Sequence, residues 1–198
     1  MKRHLVIATA AAAALLAGGT VTAVAVSGNG APATAPAAGH ARQDTEDLRE
    51  AGAARVTAPQ AAAAALKAVP GKVSGLDLDQ DRPGLVWDAD VLGKDGKWHE
   101  VTLDARTARV LNQHVDREDD DDHAQERTAL KNARTDAATA ARKAGHGTVT
   151  SVELDDDHRT KAVWEVETVT KDGTEHKLLV DPDTGALSTA PAHDDDND

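Results

Sequence analysis

The sequence predicts an α+β protein of two repeated units, each with one helix packed on a small antiparallel sheet of three to four strands. The first observation is a duplication: the stretch 85–111 recurs later in the chain, and two of the three tryptophans, Trp87 and Trp164, occupy equivalent positions. The second is a Lys-Asp-Gly turn in each copy, flanked by alternating apolar and polar residues, which is typical of a β-hairpin. The third is an alanine-rich, helix-forming stretch ahead of each group of strands.

The first unit is expected to begin with a helix. Thr57 is a candidate N-cap and Gln60 follows at capping-box spacing, while Ala61–Val69 favours helix and Pro70-Gly71 ends it. Strands are then predicted at 73–78, 85–92 and 98–103, with a short last strand at 109–111.

The second unit repeats this order of elements. A helix capped by Thr135 or an upstream residue is predicted to run to Ala144, before Gly145 and Gly147. Strands are predicted at 148–154, 161–170 and 175–180, with an edge strand at 186–187.

The N-terminus has the layout of an export signal. Lys2 and Arg3 precede an uncharged, largely apolar stretch, so residues 1–26 are predicted to be a signal peptide or an N-terminal anchor. The protein is therefore expected to be secreted or held in the cell envelope. Its only contact with a membrane would be through an uncleaved N-terminal segment.

Changes in composition predict the remaining boundaries. Alanine, proline and glycine dominate a flexible tether, and four consecutive aspartates mark a solvated linker between the copies. The predicted segments are a tether at 27–54, repeat 1 at 55–113, an acidic linker at 114–127, repeat 2 at 128–190 and an acidic disordered tail at 191–198.

Composition excludes several classes of function. The chain has no cysteine, so it has neither disulfides nor a thiolate site, and its net charge of −12 argues against nucleic acid as a partner. Phenylalanine and tyrosine are absent. Because small aliphatic side chains bury little area, each unit should be marginally stable alone, and the two copies are expected to pack against each other.

The sequence assigns no catalytic, cofactor-binding or metal site, and the protein is predicted not to be an enzyme. The run Asp77–Asp81 begins like a calcium-binding EF-hand loop, but Arg82 stands where glycine is needed and Asp88 where glutamate is usual. The serines lie in no nucleophile elbow. The many carboxylates are interpreted as solvated charge in turns and on outward strand faces.

Three residues are candidate partner contacts. His99 and His176 are equivalent in the two copies, and alternation places each at the margin of the apolar face. Trp98 faces away from Val101 and Leu103, so it is either an inter-repeat contact or a hot spot for a partner.

The order of these motifs resembles a known family. A Trp-bearing strand, Lys94-Asp95-Gly96, His99 and a final turn at 104–108 recur in the second copy. This pattern resembles the PepSY domain of thermolysin-type metallopeptidase propeptides and of many exported bacterial proteins, over 56–111 and 133–187. Ala108 departs from the pattern, since the second copy has Gly185 there.

The resemblance implies a non-catalytic binding or regulatory module that modulates or inhibits a peptidase or another envelope protein. An extracellular or envelope peptidase, or a sensor protein, would be the partner. The alternative is an acidic envelope protein that binds divalent cations such as calcium, with a structural or buffering role.

Overall fold

The computed structural model describes residues 49–81, 84–116, 123–145, 147–155 and 161–189. The helices are α1 (Ala58–Ala68), α2 (Ala124–Asn132) and α3 (Ala137–Lys143). The strands of the first unit are β1 (Gly71–Asp81), β2 (Gly84–Gly93), β3 (Trp98–Asp104) and β4 (Val110–Val115). Those of the second are β5 (Thr148–Asp155), β6 (Val163–Val169), β7 (Glu175–Val180) and β8 (Leu187–Thr189).

The predicted α+β class is confirmed, and the two small sheets are joined into one. All eight strands form a single sheet in the order β4-β3-β2-β1-β5-β6-β7-β8. The junction is antiparallel and pairs Leu76 of β1 with Val152 of β5. This arrangement covers the edges that β1 and β5 would otherwise expose. The buried apolar residues of the two units form one hydrophobic core.

The core lies between one face of the sheet and helices α1 and α3. Trp87 and Trp164 are fully buried there. Their indole nitrogens donate equivalent hydrogen bonds of 2.9 Å to the carbonyl oxygens of Val56 and Thr135. Both tryptophans are therefore core anchors, as their repeated positions predict.

Helix α1 begins at Ala58, directly after the predicted N-cap Thr57, and has the predicted capping box, in which the Thr57 amide donates a hydrogen bond of 2.9 Å to the Gln60 side chain. In α3 the N-cap is Asp136, whose carboxylate accepts a hydrogen bond of 2.7 Å from the Thr139 amide. The suggested cap, Thr135, was wrong by one residue. Aspartate is as good an N-cap as threonine. The backbone carbonyl of Thr135 instead accepts the hydrogen bond from the Trp164 indole nitrogen.

Helix α2 was not predicted. It begins inside the predicted linker 114–127, whose first residues belong to β4, and its end lies within predicted repeat 2. Leu130 is its one buried residue. A helix that buries a single side chain has no apolar stripe, so its sequence lacks the periodicity by which an amphipathic helix is recognised. Residues 49–53 are also helical and lie in the last part of the predicted tether 27–54. The predicted signal segment, the aspartate run and the C-terminal tail lie outside the described residues.

The last turn of each unit is built around an aspartate. The side chains of Asp104 and Asp181 each accept a hydrogen bond of 2.8 Å from the amide three residues later, at Thr107 and Thr184. The Thr107 hydroxyl, which donates a hydrogen bond of 2.7 Å to Asp104, is the largest cause that lowers the pKa of Asp104, and the Thr184 amide is the largest cause that lowers the pKa of Asp181. The turn needs a left-handed residue, which is Gly185 in the second unit and Ala108, with φ of 58°, in the first.

Candidate functional site

The face of the sheet opposite α1 and α3 carries a concentration of carboxylates. Residues paired across antiparallel strands point to the same face, and the strand register places seven carboxylates in the middle part of this face. We call the set the acidic face: Asp77, Asp88, Asp90, Glu100, Glu153, Glu165 and Glu167.

Several of these carboxylates stand directly opposite one another. Asp77 pairs with Asp88, Asp90 with Glu100, and Glu153 with Glu165. Like charges at opposed positions repel each other and destabilise a sheet. The acidic face thus runs across the junction of the two units and is electrostatically strained in both.

This crowding perturbs the central carboxyl groups. The pKa of Asp90 is raised to about 7. Burial in the sheet contributes most to this rise, and repulsion from Asp77, Glu100 and other acidic neighbours adds to it. Burial likewise raises the pKa of Glu153 to about 7, with repulsion from Asp77 and Glu165 adding to it. Part of the acidic face therefore changes its charge near neutral pH.

Asp77 lies between the two units. Burial raises its pKa and Glu167 adds to the rise, whereas a hydrogen bond of 2.7 Å donated by the Ser151 hydroxyl opposes it. Asp77, Asp90 and Glu153 nevertheless all expose substantial side-chain surface. Water reaches these carboxylates from the open side, and its hydration limits how far burial can shift them.

A lysine and a histidine border the acidic face. Lys177 Nζ lies 2.7 Å from Glu165 and 3.3 Å from Glu167, and His114 Nε2 lies 3.3 Å from Glu100. Both pairs are accessible to solvent, so they offset the repulsion only in part.

Helix α2 and His123, the residue before it, cover one end of this face. Lys72 Nζ donates hydrogen bonds to the carbonyl oxygens of Leu130 at 2.7 Å and Lys131 at 3.0 Å, which caps the C-terminus of α2. Arg127 Nη1 donates to the Gly96 carbonyl at 2.7 Å. The helix also brings Glu126 close enough to raise the pKa of both Asp90 and Glu153 further.

Trp98 lies beneath this cover. Its side chain is 7% exposed, its ring is 5.1 Å from the ring of His123, and the Arg127 guanidinium is 6.0 Å from its centroid. Trp98 lies on the sheet face opposite Val101 and Leu103, as alternation predicts, and it contacts the segment that connects the two units. It thus makes an inter-repeat contact, and its role as a partner hot spot stays a prediction.

The two candidate histidines are placed differently. The His99 side chain is 11% exposed, and its Nε2 lies 3.1 Å from both carboxylate oxygens of Asp95. His176 is exposed at the margin of the sheet. Their strands, β3 and β7, are separated by four other strands, so the fold does not bring Trp98, His99 and His176 together into one site. Their contact with a partner stays a prediction.

Sequence reasoning did not identify the acidic face as a feature. Asp88 and Asp90 of the first unit occupy the positions of Glu165 and Glu167 in the second, and this repetition was the available signal. The EF-hand-like run Asp77–Asp81 forms the end of β1. Within the described ranges, no three acidic, histidine or cysteine side chains converge as metal ligands. No helix in those ranges is long and apolar enough to cross a membrane.

The fold and this face together define a duplicated helix-on-sheet module with one broad acidic surface. A family model described as "Peptidase propeptide and YPEB domain" matches residues 55–114 and 133–187, more than half of the chain. The chain belongs to this family, PepSY, and carries two copies of its domain.

Comparison with solved structures finds a candidate lipoprotein (CD1622) from Clostridium difficile 630 that is similar to this chain. The two share 19% sequence identity with a TM-score of 0.43, over 69% of this chain and 92% of the other. No curated protein matches the chain.

Proposed function

We propose that the protein is a non-catalytic, extracytoplasmic binding module that modulates a peptidase or another envelope protein. The observation that carries this proposal is the pair of PepSY domains, which belong to a propeptide-type regulatory family. Their fusion into one sheet supports it further, because a continuous sheet is a rigid platform that binds without a large ordering cost.

The acidic face is the surface that we propose for the contact. Helices α1 and α3 cover the opposite face, so that face is occupied by the protein's own core. Asp77, Asp90 and Glu153 remain exposed in the middle of the open face. A basic surface on the partner would relieve the repulsion between these carboxylates, and this gain would favour binding and accelerate encounter.

A peptidase assay tests this proposal. The purified chain would be immobilised to capture proteins from host culture supernatant and envelope extract, and captured peptidases would be assayed with and without the chain. We expect saturable inhibition or modulation of at least one peptidase. No reproducible partner together with no change in proteolysis would contradict the proposal, and so would proteolysis by the purified chain itself.

Charge variants identify the surface. At pH 8, where both carboxyl groups are mainly ionised, the double variant Asp90→Asn/Glu153→Gln removes nearly two charges from the acidic face and should weaken the effect on the peptidase about tenfold or more. The control is Asp172→Asn/Asp183→Asn, which removes two carboxylates from turns of the second unit and should leave the effect unchanged. Equal weakening by both pairs would indicate a response to net charge and not to this face.

A further inference from the structure

Helix α2 lies on the side of the sheet that carries the acidic face. Trp98 lies beneath its N-terminal end and is 7% exposed, and Leu92, which pairs with Trp98 across β2 and β3, is 6% exposed. Leu130 is the one side chain of this nine-residue helix that is buried. So short a helix depends on packing for its stability. It therefore belongs to the elements that open locally while the rest of a protein stays folded.

Polar contacts hold α2 against the sheet at both ends. Lys72 of β1 donates hydrogen bonds to carbonyl oxygens at its C-terminus. Arg127 donates to the turn between β2 and β3, and the His123 ring is 5.1 Å from the ring of Trp98. Lys72 is exposed and the other two side chains are partly exposed, so each contact contributes little net stability. A modest repulsion is enough to oppose them.

Glu126 on α2 supplies such a repulsion. Burial is the largest cause that raises the pKa of Asp90 and of Glu153 to about 7, and the charge of Glu126 adds to both rises. Asp90 on β2 and Glu153 on β5 both pair with Gly75 of β1, so they flank one glycine in the sheet. The helix therefore brings a third carboxylate close to two carboxyl groups that change their charge near neutral pH.

Other charged groups surround these three carboxyl groups. The strands present five further carboxylates to Asp90 and Glu153, which are Asp77, Asp88, Glu100, Asp155 and Glu165. His114 lies 3.3 Å from Glu100, and Lys177 lies 2.7 Å from Glu165. His123 Nδ1 is 3.1 Å from Glu126, and its Nε2 is 3.9 Å from Asp116. The strand groups stay in place when α2 moves, so Glu126 is the acidic group that couples the ionisation of Asp90 and Glu153 to the position of the helix.

We infer that α2 is a lid over one end of the acidic face and that it opens as the pH rises. Ionised Asp90 and Glu153 repel Glu126 while the lid is closed, and this repulsion falls once the helix moves away. Because closure disfavours ionisation, ionisation disfavours closure to the same extent. The lid is therefore held shut in mildly acidic solution and released above neutral pH. Opening uncovers Trp98 and Leu92 beside the acidic face, which enlarges the surface proposed for a partner.

Hydrogen exchange of the full chain tests the lid without a partner, so its failure would leave the proposed function in place. Exchange is measured by mass spectrometry at pH 5 and pH 8 and corrected for the intrinsic effect of pH. Repulsion within two partly exposed charge pairs predicts about tenfold lower protection of residues 124–132 at pH 8. Residues 58–68 of α1 should be more strongly protected at both pH values. Equal protection of the two helices, which would indicate global unfolding, or no loss of protection in α2, would overturn the proposal.

Charge variants identify the groups responsible. Glu126→Gln and Asp90→Asn/Glu153→Gln each remove the repulsion, so each should reduce the loss of protection to about twofold or less. The control is Asp172→Asn, in the turn between β6 and β7, which should keep the full loss. A full loss that persists in Asp90→Asn/Glu153→Gln would assign the response to His123 and overturn the proposal. Removal of the loss by Asp172→Asn would do the same, because it would indicate a response to net charge.

Discussion

Replacing Asp90 by asparagine should stabilise the protein at neutral and alkaline pH. The folded state raises the pKa of Asp90 to about 7, well above the ordinary value for aspartate. Folding therefore favours the protonated carboxyl group. The stability associated with this group is fully present at low pH, and it is lost as the pH rises from about 4 through about 7. Asparagine keeps the shape and removes the charge, so its advantage should grow across this range.

The expected size follows from the raised pKa and the exposure of the side chain. At about 1.36 kcal/mol for each pKa unit, the rise from 3.8 to about 7 sets an upper limit near 4 kcal/mol. Solvent screening of this exposed carboxylate reduces the expectation to about 1 kcal/mol at pH 8. For a domain of this size, such a gain raises the melting temperature by about 3 °C.

The assay is urea unfolding of the unsubstituted chain and Asp90→Asn at pH 5, 6.5 and 8, followed by tryptophan fluorescence. The control is Asp172→Asn. Hydrogen bonds from the Thr170 side chain and the Thr174 amide lower the pKa of this exposed carboxyl group, so its contribution is lost only as the pH falls below its ordinary value. The Asp172→Asn difference should stay flat from pH 5 to pH 8. An Asp90→Asn difference that is equally flat, or destabilisation at pH 8, would refute the reasoning.

Three further predictions concern stability. Ala108→Gly should stabilise the protein by about 0.5–1 kcal/mol because Ala108 has a left-handed backbone, and Gly185→Ala should do the reverse; urea midpoints compare the two. Lys72→Met removes the bonds to the end of α2, which should cost about 1 kcal/mol and increase hydrogen exchange in 124–132 first. Calcium should change the melting temperature no more than magnesium at equal ionic strength; saturable, calcium-specific stabilisation would favour the cation-binding alternative.

The sequence predicted those parts of the fold that depend on neighbouring residues. The capping box at Thr57, the two Lys-Asp-Gly hairpins and the buried positions of Trp87 and Trp164 all follow from short-range patterns. The repeat makes each of these motifs more informative, because a motif that occurs twice at equivalent positions is rarely accidental. The α+β class and the four-stranded pattern of each unit follow from them.

The features that sequence reasoning missed depend on contacts between distant residues. The β1–β5 pairing that joins Leu76 to Val152 is not visible in either strand alone. The acidic face depends on register, since only pairing places Asp77 opposite Asp88. Helix α2 is held by Lys72, which is far away in the sequence. The same limit applies to Trp98, whose cover comes from a segment that composition describes as a linker.

We propose that this tandem PepSY protein acts by binding through the acidic face and not by catalysis. The most direct measurement is a titration of a captured peptidase with the chain and with Asp90→Asn/Glu153→Gln, followed as the rate of substrate cleavage. At pH 8 we expect a saturable change in rate that the double variant shifts to about tenfold higher concentration or more. A rate that does not respond to the chain, or an identical response to both proteins, would contradict it.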